Sequence, residues 1–314
     1  MDKIFVSLAS YVDPVLLFTL AQAYAKADNP ERLVFGVVDQ HPQSRNDIIR
    51  RFKFQKQIRY VHIDPVQSRG VSWARSLVFS LYQNETYLLQ IDSHTYFEQG
   101  WDSVLIEQFH SLDGLSSKPI LSTYPYAFEF EGTQPVIKST PSKETVLALR
   151  PKAEEALKDD DPVLHFRAEH LMTREMVPGF HLAGGFIFTW GRFVDEVPYD
   201  PRLYFHGEEQ NLAIRAFTRG WDIFHPPHIP LYHLYKLPDN AYDAHHWHEK
   251  WDSQRDYRWY ELKDLARQRM ADLLYHGKPL GAFGLGSERS LQDFAEFSGI
   301  DYGKRSISRS RFPV

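Results

Sequence analysis

The chain has 314 residues, enough for one large domain or two small ones, and enough to bury a core without a metal or disulfide staple. It carries no cysteine, which excludes disulfide scaffolds, zinc–thiolate sites, iron–sulfur clusters and cysteine nucleophiles. Its 36 Lys and Arg against 41 Asp and Glu give a net charge of −5, which disfavours nucleic acid as a partner, and its 15% aromatic content suits a site that stacks flat or sugar-like groups.

Ile4 to Leu8 is a short apolar run of strand type. Pro14 opens a helical pattern through Lys26, proline being favoured in a first turn. Leu33 to Val38 predicts a second strand ending at Asp39, Asn46 to Lys56 a helix, and Ile58 to Ile63 a third strand. Gly70 begins a helix with Trp73, Leu77 and Leu81 on one face, and Tyr87 to Ile91 predicts a fourth strand that runs into Asp92-Ser93-His94. Such alternation implies a parallel sheet with crossover helices, whose ligands sit beyond the carboxyl ends of the strands. Ser10, Asp39 and Asp92 fall there and could share one crevice.

Residues 124–162, rich in Thr, Ser, Pro and Asp, read as an irregular insertion, either a lid or a solvated excursion. Regular structure resumes at Val163 and Ile187. Glu208 to Arg219 predicts a helix stopped by Gly220, and Trp247 to Leu274 a long helix. The Gly-x-Gly of the tail, Gly284 to Gly286, is a weak phosphate signal because no apolar strand precedes it. The N-terminus has no basic region before a long apolar run, and Val15 to Ala25 is too short to span a bilayer. The chain therefore reads as soluble, with no membrane segment, and by default cytoplasmic.

An Asp and a His two residues apart on an extended segment point the same way and can grip one cation. Oxygen with nitrogen suits Mn²⁺ or a similar ion better than Ca²⁺; a helix cap at Asp92 is the plainer reading of the triplet alone. Gly184-Gly185 before the apolar Phe186-Ile187-Phe188 would let a bulky ligand lie on bare backbone, or make a turn. Gly207-Glu208-Glu209 presents carboxylates at a helix start, where the helix dipole also favours them. Leu212 and Arg215 fall on the face of Glu208, which predicts an Arg215–Glu208 pair. Leu231 to Lys236 offers a further imidazole in His233 and a cation for phosphate in Lys236. The tract His245-His246-Trp247-His248 lacks hydrolase spacing and reads as polar and partly exposed, with closure over a substrate as the other reading. No serine-hydrolase elbow and no P-loop occurs.

In this order, Asp92-Ser93-His94, Ala183-Gly184-Gly185-Phe186, Gly207-Glu208-Glu209 with Arg215, and a late His resemble the GT-A nucleotide-sugar glycosyltransferases. The polypeptide N-acetylgalactosaminyltransferases share these motifs, with Asn where Glu209 stands here and with a lectin domain that nothing here resembles. A closer resemblance, over almost the whole chain, is to the polypeptide α-N-acetylglucosaminyltransferases, whose eukaryotic members modify hydroxyproline. It is carried by Phe5 to Tyr11, Gln90 to His94, Val197 to Pro201, Gly207 to Glu209 and the tail from Gly284 to Leu291.

That resemblance implies an α/β GT-A fold over residues 1–240, with a nucleotide-binding half (1–123) and an acceptor and metal-completing half (163–240), and a helical C-terminal extension over 241–314. It implies a metal-dependent, retaining transfer of GlcNAc from a UDP-sugar to a protein or glycan hydroxyl. Asp92, His94 and His233 would hold Mn²⁺ or Mg²⁺, with Asp92-Ser93-His94 acting as a DXD-like motif. Ser10 and Asp39 would lie by the uridine; Gly70, Arg75 and Lys236 would also serve the donor; Gly184 and Gly185 would flank the sugar; Glu208 would bond a sugar hydroxyl, with Glu209 beside it or facing the acceptor. A modified nucleobase in DNA as acceptor, or an inactive sugar-binding module, are the alternatives. The intact Asp92, His94, His233 and Glu208 argue against the module.

Overall fold

The structure is a computed structural model that describes residues 2–138, 144–235 and 245–313. The first half runs β1 (Ile4–Tyr11), α1 (Leu16–Lys26), β2 (Leu33–Gln40), a single turn α2 (Asn46–Ile49), β3 (Ile58–Ile63), α3 (Val71–Phe79), β4 (Tyr87–Asp92), β5 (Thr95–Phe97), α4 (Trp101–His110) and β6 (Pro119–Ser122). It continues through β7 (Tyr126–Glu131), β8 (Gln134–Ile137), β9 (Thr145–Pro151), β10 (Phe166–Met172), β11 (Val177–Gly179), β12 (Phe186–Trp190), α5 (Phe193–Glu196), α6 (Glu208–Thr218), β13 (Asp222–His225) and β14 (Leu231–His233). The C-terminal part contributes α7 (Glu249–Asp252), α8 (Trp259–Leu274) and α9 (Leu291–Ser298).

The main sheet has the order β11-β13-β6-β12-β4-β1-β2-β3. The four strands expected from the N-terminal half are all present and lie parallel, while β12 runs antiparallel between β4 and β6. Both faces of this sheet are covered, which is why β1 and β2 read as continuous apolar runs. Ile4, Val6 and Leu8 turn to one side and meet Leu16 and Leu20 of α1 and Trp101 and Leu105 of α4. Phe5 turns to the other and joins a core with Val78 of α3, Phe193 of α5 and Leu212 and Ala216 of α6. Alternate residues of one strand thus tie two helical layers together.

Three expectations need correction. The stretch taken as irregular forms β7, β8 and β9 over much of its length, while residues 152–162 carry no strand or helix. Phe128 on β7 is fully buried with Tyr126 and Phe130 on the same face, and Gly132, at φ +63°, turns the chain into β8. Thr133 lies in that turn and Pro135 in β8. The helix expected over Asn46 to Lys56 stops after one turn, because Phe54 leaves it to stack on Tyr24 at 4.1 Å and to pack on Phe35. The long helix expected from Trp247 is two helices. The Asp252 carboxylate accepts the Trp259 N–H, and the Arg258 N–H donates to Glu261, so a new helix is capped where the old one would have continued. The helix at Glu208 ends as expected, with Gly220 at φ +78°.

Helices α8 and α9 pack on α6: Met270, Leu273 and Phe294 share a buried cluster with Ile214 and Phe217. A second, four-stranded sheet of order β5-β14-β7-β8 lies at the carboxyl end of β4. Among the described residues, no helix is long and apolar enough to cross a membrane.

The tail glycines serve packing. The Gly286 N–H donates to Thr218 Oγ1 at 2.8 Å, and a Cβ there would lie 2.3 Å from the Thr218 carbonyl oxygen, a backbone atom that cannot swing away. Gly286→Ala should therefore cost about 1–3 kcal/mol of stability by overpacking, read by urea unfolding.

Candidate active site

Strand β4 ends at Asp92, paired in register with Ala9 of β1, and the Thr95 hydroxyl donates to the Asp92 carbonyl at 2.8 Å to close the turn through Ser93 and His94. The second sheet brings in the remote imidazole. His233 pairs with Thr95 across β14 and β5, and the Leu234 N–H donates to the His94 carbonyl at 3.0 Å. The result is that Nε2 of His233 lies 3.0 Å from Nε2 of His94 and 3.1 Å from a carboxylate oxygen of Asp92. All three ligand atoms fall within 4.8 Å of one another.

This spacing fits a divalent cation. Bonds of about 2.1 Å at right angles put neighbouring ligand atoms about 3 Å apart, and a set of one carboxylate and two imidazoles suits a divalent first-row metal. The Tyr235 ring lies 4.3 Å from that of His233, centre to centre, and its hydroxyl is anchored on the Pro125 carbonyl at 2.8 Å. On the far side of His94, Nδ1 lies 2.5 Å from Asp13, a residue the sequence reading passed over. Burial alone would raise the Asp13 carboxyl. The His94 ring and hydrogen bonds from Ser93 and Val15 outweigh it and hold the group at about 2.

Arg75 joins this cluster to a second one. It is 4% exposed, and its guanidinium donates to Asp92 at 2.9 Å and to Glu208. Arg215, expected to pair with Glu208, instead donates to the carbonyls of Pro198 and Ala282, and so locks α6 to the segments beneath it. The two glycines make room for these side chains. A Cβ on Gly184 would strike the Arg75 guanidinium, and one on Gly185 would lie 2.7 Å from the Asp92 carboxylate. Glu209 accepts the Gly184 N–H at 2.6 Å and the Tyr124 hydroxyl at 3.2 Å, with the ring of His181 3.7 Å away.

The single Arg75 cation serves two carboxylates and lies close to a third. Burial, with help from Glu209 and Asp92 and against the pull of Arg75, pushes Glu208 up to about 7. Asp92 goes the other way: burial opposes its charge, but the hydrogen bond from His233 and the Arg75 charge hold it well below the ordinary carboxylate range. One oxygen of Glu208 is buried without a partner. A cluster short of positive charge, with an orphaned carboxylate oxygen, is a second reason the site fits a cation and a polar ligand.

A cavity of about 300 Å³ opens at the carboxyl ends of β1 and β4. Asp92, His94 and His233 form one wall, Tyr11 and Gly70 another, and His245 and Trp247 stand at its edge. Gly70 has φ +101°, and a Cβ there would lie 2.6 Å from the Tyr204 carbonyl. A neighbouring cavity of about 320 Å³ is lined by Arg75, Gly185, Glu208, Glu209, Tyr124 and His181. Phe205 borders both.

Two expected donor residues are not on these walls. The Asp39 carboxylate is fully buried and taken up by Arg45 and by the Tyr60 hydroxyl, while Ser10 is fully buried with its carbonyl accepting from the Gln40 amide. Both lie after the expected strand cores, but their side chains face the interior. Lys236 lies outside the described residues. The histidine tract does reach the cavity. His246, 8% exposed, is tied to the Tyr204 hydroxyl at 3.0 Å and donates to the Ser68 carbonyl at 2.9 Å, which carries His245 and Trp247 to the rim. The tract's mixed polarity gave no sign of this, because the partners come from β-sheet loops far away in sequence.

A mixed sheet with its site at the carboxyl end of β4, beside a smaller sheet that completes it, is the GT-A fold. The chain is similar in structure to GalNAc-T7 crystallised with UDP, GalNAc and Mn²⁺, at a TM-score of 0.56 and 14% identity over 76% of this chain; at that identity the likeness shows the fold. The chain spans 44% of the length of that protein. It also aligns with TarS residues 1–349 of S. aureus, at a TM-score of 0.46 and 12% identity over 85% of this chain and 70% of that one. The same protein in complex with UDP-GlcNAc gives 0.44 and 14% over 90% and 75%. No curated protein matches the sequence. The family model described as Glycosyltransferase (GlcNAc) matches residues 3–51 and 44–304. The chain belongs to that family.

The raised Glu208 makes a prediction about stability. Between the ordinary value of 4.5 and about 7, the folded chain holds a proton on Glu208 that the unfolded chain has lost. Stability contributed at this residue therefore falls as pH rises through that window, by roughly 3 kcal/mol in full. Glu208→Gln removes this term. Urea unfolding of both proteins at pH 5, 6 and 7 should show Glu208→Gln gaining on the wild type as pH rises; a constant gap contradicts the assignment.

Proposed function

We propose that this chain transfers GlcNAc from UDP-GlcNAc to a hydroxyl of a protein or glycan, with retention at the anomeric carbon. Asp92, His94 and His233 hold the divalent ion, Mn²⁺ or Mg²⁺. The observation that carries the reading is the convergence of these three side chains, from the end of β4, the turn after it and β14, next to a buried Arg75–Glu208 pair. Family membership supports the sugar, and the UDP and Mn²⁺ bound by GalNAc-T7 support the nucleotide and the ion. Retention comes from the resemblance in the motifs.

A bound ion would supply positive charge next to the donor's diphosphate. The chain's own residues do the rest. Arg75 holds the carboxylates of Asp92 and Glu208 in fixed relation. The unpartnered oxygen of Glu208 accepts a hydrogen bond from a hydroxyl of the donor sugar. Gly185 leaves space over Asp92, and Gly184 lends its N–H to orient Glu209 toward the second cavity, where the acceptor enters. The nucleoside occupies the first cavity beside Tyr11 and Gly70, under His245 and Trp247. Ser10 and Asp39 act on it only indirectly, by shaping the strand ends.

The test is UDP release from UDP-GlcNAc with Mn²⁺ present. Asp92→Ala and His233→Ala should abolish release while the fold survives, and a chelator should do the same to the wild type. Glu208→Gln should lower kcat roughly tenfold to a hundredfold, the value of a charged hydrogen bond made in the transition state, with UDP affinity unchanged by calorimetry. UDP with Mn²⁺ should raise the melting temperature, since only the native state binds. Full activity in His233→Ala at limiting Mn²⁺, or an equal stabilisation by GDP, contradicts the reading.

A further inference from the structure

Asp13 has no part in the reading above, yet among the described residues it is one of the most completely buried carboxylates, at 1% exposure. One of its oxygens accepts the Val15 N–H at 2.8 Å. The other lies 2.6 Å from the Ser93 hydroxyl, which donates to it, and 2.5 Å from Nδ1 of His94. An ionised carboxylate can only accept, so the His94 contact requires the ring proton on Nδ1. The lone pair is then on Nε2, the atom that faces Asp92 and His233.

The backbone is bent to deliver this carboxylate. Val12, immediately before it, sits at φ +47°, a left-handed conformation that a β-branched residue rarely adopts. Two contacts hold it there. The Val12 N–H donates to the Gln40 carbonyl at 2.8 Å, and the Arg45 guanidinium donates to the Asp13 carbonyl at 2.6 Å. Arg45 is itself clamped by the buried Asp39 carboxylate. Strain of this kind persists where surrounding structure over-determines it, and here it aims one side chain at one ring. Asp39, expected at the nucleotide, thus reaches His94 through Arg45 and Asp13.

We propose that Asp13 is the positioning residue of this centre: it fixes the tautomer and the orientation of His94, and thereby sets the affinity of the site for a divalent ion. The proposal rests on the metal reading above. A carboxylate on the outer nitrogen of a ligating histidine commonly changes metal affinity by about 10- to 100-fold. Asp13→Asn keeps the shape but offers an N–H to Nδ1, which favours the opposite tautomer and puts the proton on Nε2.

The experiment titrates MnCl₂ calorimetrically into the chelator-treated full chain with no donor present, and records ¹⁵N spectra of its labelled histidines. In the wild type, His94 should be protonated on Nδ1. In Asp13→Asn the proton should move to Nε2, and Mn²⁺ affinity should fall about 10- to 100-fold with the secondary structure unchanged by circular dichroism. Equal Mn²⁺ affinity in the wild type and Asp13→Asn overturns the role of Asp13 while leaving the metal site intact. A wild type that binds no Mn²⁺ overturns both. Should Asp13→Asn not fold, the wild-type spectrum decides alone: a His94 proton on Nε2 overturns the proposal.

Discussion

Arg75 sits on α3 with almost no exposure to water and divides its guanidinium between Asp92, at the end of β4, and Glu208, at the start of α6. Removing either carboxylate would leave a buried cation short of a partner, a loss of several kcal/mol in typical cases. The arrangement forces three elements, far apart in sequence, to meet at one point. The surrounding choices follow from it. Residues 184 and 185 are glycines because any Cβ would collide with the Arg75 or Asp92 side chains. Tyr199 stacks over the guanidinium at 5.8 Å, and its hydroxyl accepts from the Gln90 amide, which also donates to the Gly184 carbonyl. The sequence motifs are thus parts of one buried polar lattice, in which one Glu208 oxygen is left without a partner.

Much of this was legible where chemistry is local. Strand runs buried on both faces announce themselves as apolar, so the first four strands of the main sheet were found within a few residues of their ends. Asp92-Ser93-His94 was legible for the same reason: a strand end and an i, i+2 pair are properties of a short segment. The regular strands at residues 126–137 were hidden by the polar residues of their own hairpin. The break before Trp259 was hidden because its cause is a cap formed by Asp252 and Glu261, not an absence of helix formers.

Pairings over long distance were not legible. Helical spacing pointed to Arg215 as the partner of Glu208, because i+7 is near in sequence, but the cation that reaches Glu208 is 133 residues away. Asp39 illustrates a related limit. Its place at a strand end marked it for the uridine, while Arg45, six residues on, folds back to cover its carboxylate. Asp13 was passed over since the Pro14 after it looked like a helix start. Val12 carries the only hint, a β-branched residue where the chain must turn left-handed, and that is visible only in the backbone.

The account stands on one claim, that Asp92, His94 and His233 form a cation site. The most direct measurement is anomalous diffraction near the manganese edge from crystals of the full chain grown with MnCl₂ and UDP. The account predicts one dominant peak about 2.1 Å from the Asp92 carboxylate and from Nε2 of both histidines. A dominant peak between Glu208 and Glu209, or none within reach of the two imidazoles, would contradict it.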